Sequence, residues 1–418
     1  MGKFLITGGR KLSGRVRVAG AKNSILPILA ASLLTMKTVI IRDCPRLIDV
    51  ENMISILRIL GCKVEWKEST VVIDSSKANR WEMPEDLSRE MRSSIVMLGP
   101  ILARFKRARL TYPGGCEIGL RPINLHIKGL RDLKAKITEN QGYIDCEGTD
   151  LEGNEIHLDY PSVGATENIM LAAVKAKGQT IIRNAAKEPE IVDLQNFVNA
   201  MGGQVRGAGS NTIVVQGVKE LGSVEYRVIP DRIVAGTYMV AAAITGGDIW
   251  IENVIPDHLH PVISKLREAG CTIDIHPEYL HIIGPPRPKA ISQIETLPYP
   301  GFPTDMQAQL MALLTVADGT SLIIENIFEN RYKHSNELIR MGADILVKDR
   351  MAVIKGVDQL TGASVTATDL RGGASLVLAA LRAEGRTEVN GIHLIDRGYE
   401  DLDIRLAELG TDISRIKR

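Results

Sequence analysis

The chain has 418 residues, 44% of them hydrophobic and 24% charged, with 51 Lys+Arg against 50 Asp+Glu for a net charge of +1. This length supports two or three domains with self-sufficient cores. The near-neutral balance argues against nucleic acid or an anionic membrane as a partner, so an anionic ligand has to be met by locally placed arginines and lysines.

Cysteines stand at 44, 62, 116, 146 and 271. The number is odd, CxxC is absent and no zinc spacing occurs, so a reduced, cytoplasmic protein without a metal is expected. The opening "MGKFLITGGRKL" has too short an apolar run for a signal peptide. Uncharged stretches such as Ser24 to Met36 fall below the ~18 residues of a membrane span.

In chain order, residues 1 to about 21 read as a first strand, followed by an apolar helix running into a strand, "LPILAASLLTMKTVII". A more amphipathic helix then ends at Gly61, and "GCKVEW" opens an alternating strand. The same succession returns five times. Its glycine-plus-strand signatures are "RILGCKVEW", "RDLKAKITE", "NAMGGQVRG", "REAGCTIDI", "IRMGADILV" and "AELGTDISR". The markers Gly61, Lys134, Gly202, Gly270, Gly342 and Gly410 recur at intervals of roughly 70 residues, and six such units use up the chain. The second unit has lysine where the others have glycine.

Each unit reads β-α-β-α-β-β, its last two strands a hairpin such as "QVRGAGSNTIVVQG". The first helix of each unit carries small and aliphatic residues on more than one face and should be buried. A single core rarely exceeds ~250–300 residues, so three units in each of two domains is the expectation. The seam falls near residues 226–236, giving one domain of 22–229 and another of 1–21 plus 230–418, with two chain crossings.

Repeats keep their cores alike and vary their functional loops. The loops before the buried helices and after the middle strands carry Lys22, Arg92, Arg121, Arg232, Arg331, Arg371 and Arg397. Helix N-termini add free N–H groups and a favourable dipole for anions. The set points to one cationic cleft, against the plainer alternative of solvated surface charge. Cys116 lies in "YPGGCEIGLRP", 112–122, where Pro and Gly exclude regular structure. A cysteine there is better read as a reagent than as a core residue. No GxxxxGK[ST], HExxH or EF-hand loop competes, and His258 with His260 reads as a surface pair.

These stretches resemble the UDP-N-acetylglucosamine 1-carboxyvinyltransferases, or enolpyruvyl-UDP-GlcNAc synthases. The matching segments include "AGAKNSILPILAASLL", "MRSSIVMLGPILARF", "PGGCEIGLRP", "PSVGAT", "KEPEIVD", "GFPTDMQAQ", "FENRYKH", "ATDLRGGASLVLA" and "IDRGYEDLD". They run nearly end to end. The PGGC loop is the specific one, since the sister family making 5-enolpyruvylshikimate 3-phosphate lacks it. The resemblance implies an α/β fold of two inside-out barrels, six βαβαββ repeats with buried helices and outer sheets. It implies transfer of the enolpyruvyl group of phosphoenolpyruvate to the 3′-hydroxyl of UDP-GlcNAc, with release of phosphate, in the first committed step of peptidoglycan synthesis. The implied enzyme is a cytoplasmic monomer or weak oligomer that needs no cofactor.

By the same resemblance Cys116 is the acid and the thiol that forms a phosphoenolpyruvate adduct, and Arg121 holds the phosphate. Asp305 orients or deprotonates the sugar hydroxyl, with a helix N-cap as the plainer alternative. Lys22 and Arg397 contact phosphate and carboxylate. Asn23, Arg92, Pro122, Ile123, Asn124, Leu125, Ser162, Val163, Gly164, Ile327 and Phe328 match the UDP-GlcNAc site, and Arg331, Asp369 and Arg371 the inner wall of the cleft. The chain departs from the family at Asn124, where Asp is usual, and at Tyr160-Pro161, where many members have Lys. Glu117 opposes the pKa-lowering effect of Arg121 on the thiol. Two rivals stay open at this stage: another acceptor such as shikimate 3-phosphate, and a non-catalytic UDP-GlcNAc-binding paralogue.

Overall fold

The computed structural model describes residues 2–114, 118–119 and 122–417. The chain is mixed α/β and divides into two compact units. One comprises 1–19, 117–120 and 230–418, the other 20–116 and 121–229.

In the unit of 20–116 and 121–229, three helices are buried along most of their length. They are Lys22–Ala31, Leu98–Phe105 and Val163–Ala173, and every residue from Ala165 to Ala173 is buried. Small residues allow this: Gly99 brings its helix so close to Val163–Ala173 that an added Cβ would meet both the carbonyl and side-chain oxygens of Asn168. That Asn168 is itself fully buried, accepts from the Gly99 N–H at 2.5 Å and donates to the Ile95 carbonyl at 2.9 Å. The amphipathic helices, such as Ile48–Ile59, bury one face only.

The three sheets of this unit share one order. In the first, the strand Val224–Arg227 runs parallel to Thr38–Arg42, which pairs antiparallel with the second strand of the hairpin Lys63–Lys67/Thr70–Asp74. The third repeats this with Glu155–His157, Gln179–Arg183 and the hairpin Gln204–Arg206/Thr212–Gln216. The second has three strands, Arg107–Thr111, Tyr143–Glu147 and Lys136–Asn140, and a single parallel bridge from Glu82 to Arg109 stands where the fourth strand would lie. Strands alternate buried and exposed residues, as Thr38–Arg42 does, so each sheet buries one face.

The other unit buries the helices Arg232–Thr245, Gln307–Leu314 and Leu370–Arg382. Its three sheets have the same order, and two of them use the first residues of the chain. Ser13–Arg17 runs parallel to Asp248–Glu252. Lys3–Thr7 is a central strand, antiparallel to both Arg386–Asn390 and Asp412–Ile416, with Lys3 opposite Ile416. The sixth hairpin is therefore made from the two ends of the chain.

All six marker positions end a helix in the same way. Gly61, Lys134, Gly202, Gly270, Gly342 and Gly410 have φ of +100°, +72°, +93°, +96°, +94° and +95°. In each, the next residue's N–H reaches back five residues, as from Cys62 to Leu57 and from Ala135 to Leu130. This is the Schellman arrangement, whose left-handed residue favours glycine because it has no Cβ. Lys134 adopts it against that preference. Among the described residues no helix is long and apolar enough to cross a membrane.

Candidate functional site

Each unit carries its own share of the residues singled out above. Cys116 and Arg121 lie outside the described residues, as does Glu117.

In the unit of 20–116 and 121–229, Lys22 and Asn23 open a buried helix whose N-cap, Ala21, makes no side-chain cap bond. The Lys22 ammonium lies 2.8 Å from Asp49, and the two side chains are only 12% and 2% exposed. A pair so buried fixes the ammonium in place, because either partner alone would be an uncompensated charge. Next along the helix, the Ser24 hydroxyl donates to the Asp193 carboxylate, which also accepts from the Tyr226 hydroxyl at 2.5 Å. Burial holds the Asp193 pKa above its ordinary value, opposed by the bonds from Ser24 and Tyr226. Asp193 closes the segment "KEPEIVD" and Asp49 opens the helix Ile48–Ile59, and nothing in the sequence around either marks it as a partner of Lys22 or Ser24.

A solvent-open cavity of about 520 Å³ brings together Arg92, Pro122, Ile123 and Asn124, with Lys128 and Arg131 beside them. Arg92 starts a 3-10 turn and donates to the Pro113 carbonyl at 3.3 Å. Asn124 is the first residue of the helix Asn124–Asp132, and Leu125 after it packs on the core. Ser162 caps the helix Val163–Ala173, its hydroxyl oxygen accepting from the Ala165 N–H at 3.3 Å. Gly164 sits close to His126, whose Cε1 would lie 3.0 Å from an added Cβ. The departure at Tyr160 leaves a side chain 46% exposed.

In the other unit the centre is Asp305. Its Oδ1 lies 2.8 Å from Arg331 Nη2 and its Oδ2 3.2 Å from Arg371 Nη2, and these arginine side chains are 3% and 2% exposed. Although burial works against its charge, Tyr399, Asp305 and Asp231 hold the Arg371 pKa above its ordinary value. Among the described residues, Arg331 Nε and Arg371 Nε and Nη1 are buried without a hydrogen-bond partner. Buried guanidinium N–H groups left in this way are unusual and make these two side chains candidate anion donors.

One alternative is corrected here. Asp305 is not an N-cap: it is the middle residue of the turn Thr304–Met306, and the capping positions of that turn and of the helix Gln307–Leu314 belong to Pro303 and Met306. Asp369, expected on the cleft wall, also caps its helix, its Oδ1 accepting from the N–H groups of Arg371 and Gly372 at 3.1 and 3.0 Å. The cations are also less uncompensated than their spacing suggested, since Lys22, Arg331 and Arg371 each face a carboxylate.

Ile327 and Phe328 follow the strand Thr320–Ile324, and both their N–H groups turn onto the buried Glu325 carboxylate. Arg397 ends the 3-10 turn Ile392–Arg397. That turn is gripped through its neighbour Asp396, which receives both terminal nitrogens of Arg415 at 2.8 Å. On the described part of the 112–122 loop, the Ile118 carbonyl accepts from the Asn330 N–H at 2.9 Å. His334 carries no motif that marks it in the sequence. It is fully buried near Arg331 and Asp369, and burial pushes its pKa down to about 4, so it is neutral at physiological pH.

The comparisons with known proteins agree along the whole chain. The family model for EPSP synthase (3-phosphoshikimate 1-carboxyvinyltransferase) matches residues 6–406. The UDP-N-acetylglucosamine 1-carboxyvinyltransferase 2 of Caldanaerobacter subterraneus subsp. tengcongensis is 56% identical over 416 residues, covering 100% of both chains. The UDP-N-acetylglucosamine 1-carboxyvinyltransferase 1 of Carboxydothermus hydrogenoformans is 53% identical, covering 100% of this chain and 99% of its own. Among solved structures, the enolpyruvyl transferase NikO from Streptomyces tendae superposes with a TM-score of 0.90 at 25% identity, covering 99% of this chain and 98% of its own. With full-length identity above one half, the chain belongs to the EPSP synthase family, on the side of its UDP-N-acetylglucosamine 1-carboxyvinyltransferases.

Proposed function

We propose that this protein transfers the enolpyruvyl group of phosphoenolpyruvate to the 3′-hydroxyl of UDP-N-acetylglucosamine and releases phosphate. The observation that carries the reading is the Asp305 carboxylate between two buried guanidiniums, of which Arg331 Nε and Arg371 Nε and Nη1 meet no hydrogen-bond acceptor among the described residues. A base placed beside donors for anionic oxygens is what this addition and elimination require.

The reaction gains a proton at C3 of phosphoenolpyruvate as the sugar oxygen attacks C2. The tetrahedral ketal then loses phosphate and a C3 proton, which restores the double bond. Asp305 takes the hydroxyl proton through a lone pair not used by Arg331 or Arg371. Cys116 supplies the C3 proton and is the thiol open to a covalent adduct. Lys22, Arg121 and Arg397 bind phosphate and carboxylate, and Arg331 and Arg371 offer their free donors to the same anion. Asp369 serves by fixing the start of the Arg371 helix rather than by touching substrate. Asn23, Arg92, Pro122, Ile123, Asn124, Leu125, Ser162, Val163, Gly164, Ile327 and Phe328 form the nucleotide-sugar site. The amides of Ile327 and Phe328 are already used, so their backbone contact falls to the carbonyls.

At the scale of the fold, the reading includes two inside-out barrels of three repeats, one domain of 22–229 and another of 1–21 plus 230–418. Burial of the first helix of each repeat supports it. It also includes a cytoplasmic enzyme, monomeric or weakly associated, acting at the first committed step of peptidoglycan synthesis. The test is phosphate release from phosphoenolpyruvate with UDP-GlcNAc, with shikimate 3-phosphate, and with neither. Release that depends on UDP-GlcNAc is expected. Release with shikimate 3-phosphate instead, or binding of UDP-GlcNAc without release, would replace the reading.

A further inference from the structure

Glu325 is fully buried and follows directly on the strand Thr320–Ile324. Its Oε1 accepts from the Thr296 hydroxyl at 2.8 Å and from the N–H groups of Ile327 and Phe328 at 2.8 and 3.1 Å. Its Oε2 accepts from the Thr304 hydroxyl at 2.9 Å. These four donors are all neutral. Thr296 in turn accepts from the Asn326 N–H at 2.9 Å, so the loop after the strand is pinned at three successive amides.

A buried carboxylate is a costly way to finish a turn, because taking the charge out of water costs several kcal/mol. What it provides is acceptor capacity alone, with roughly four lone-pair directions and no donor. Here those directions join two segments about twenty residues apart in the chain. One is the loop of Ile327 and Phe328. The other is the turn Thr304–Met306, which carries Asp305. Arg331 and Arg371 hold the Asp305 side chain, and Thr304 ties the backbone just before it to Glu325.

We infer that Glu325 is a positioning residue: it sets the distance between the Asp305 turn and the Ile327–Phe328 loop, and so the placement of the acceptor hydroxyl against its base. This rests on the function proposed above. A displacement of about 1 Å at a reacting pair costs on the order of 10²-fold in rate. The role therefore shows on the acceptor side of the reaction and hardly on the phosphoenolpyruvate side.

The experiment measures phosphate release while each substrate is varied in turn, with thermal unfolding alongside. Glu325→Gln keeps an acceptor for the two amides, and its new N–H group can donate to the Thr304 oxygen. It should stay within about tenfold of wild type. Glu325→Ala should lose on the order of 10²-fold in kcat/KM for UDP-GlcNAc, with KM for phosphoenolpyruvate within about threefold. Thr304→Val keeps the shape and every bond to the 326–328 loop and cuts only the tie to the Asp305 turn. It should lower kcat about tenfold with both KM values near wild type, and it carries the test if the Ala variant fails to fold. A Thr304→Val enzyme with wild-type kcat, a Glu325→Ala enzyme whose KM for phosphoenolpyruvate rises well beyond threefold, or no rescue by Gln overturns the inference. A wild-type protein that releases no phosphate with UDP-GlcNAc overturns instead the reading on which it rests.

Discussion

Asp305 was legible as a site residue from "GFPTDMQAQ", but its partners were not, because Arg331 and Arg371 are brought to it from 26 and 66 residues away. Asp305→Asn preserves size and leaves no cap to lose. Turnover should fall about 10²–10⁴-fold, the range for a general base, and the unfolding midpoint should drop as well, because two buried guanidiniums lose their counter-charge. Normal turnover in the folded variant would remove Asp305 from the chemistry. The thiols make a second test. Cys44, Cys62, Cys146 and Cys271 are all buried. Burial pushes Cys146 and Cys271 up to about 12, with Asp145 adding to it at Cys146, and also raises Cys62. Near neutral pH these three stay protonated and enclosed, so a small epoxide should label Cys116 alone in a peptide map. Spread of label over all five sites would refute this. The same shifts fix a sign. Thiols in the unfolded chain ionise near 9.0 while the buried ones keep their protons, so stability should fall as pH rises from about 9 toward about 12. Chemical unfolding followed across that window checks it. At Lys134 the φ of +72° strains an exposed side chain with a Cβ. Lys134→Gly should stabilise by about 0.5–1 kcal/mol, read as a rise of roughly 1–4 °C in the unfolding midpoint.

Among the elements, helices were the most readable, because their composition already excludes an exposed face. The apolar stretch "IVMLGPILARF" announces a buried helix, yet only the structure shows that Gly99 in it is an approach surface for Asn168 rather than a flexible joint. Gly99→Ala should cost about 1–3 kcal/mol or more by forcing two buried helices apart. Urea unfolding would show it, and a neutral result would mean that the helices can shift. The sheets were half legible. Hairpins follow from alternation and turn residues, and pairing partners do not, because register between distant strands leaves no local signal. Thus "TVII" reads as a strand, but nothing in it announces that Val224–Arg227 lies beside Thr38–Arg42. The capping role of Asp369 was hidden for the opposite reason. A residue expected at a ligand was using its carboxylate on its own helix.

For the molecule as a whole, the repeat fixed the number of units, and its one irregularity at Lys134 was visible without coordinates. That Lys3–Thr7 lies between two strands from the far end of the chain was not. Lys3–Thr7 supplies a central strand with Phe4 and Ile6 fully buried. Each such side chain contributes about 1.5–3 kcal/mol, against a typical total of 5–15 for a domain. Deleting residues 1–8 touches none of the proposed site residues, yet it should unfold the unit of 230–418 and leave 20–229 resistant to limited proteolysis. Survival of both units would contradict this. The same strand has a consequence for synthesis. Its two neighbours, Arg386–Asn390 and Asp412–Ile416, are translated far later than the strand itself. At 5–20 residues per second, roughly 20–80 s separate the first strand from its partners. All that time "KFLIT" leaves the ribosome early with apolar residues and an unsatisfied edge on both sides, while 20–229 already has everything it needs to fold. A product stalled before residue 386 would carry that edge permanently, and nascent chains of this protein should depend on a holding chaperone at residues 3–7 until those partners emerge.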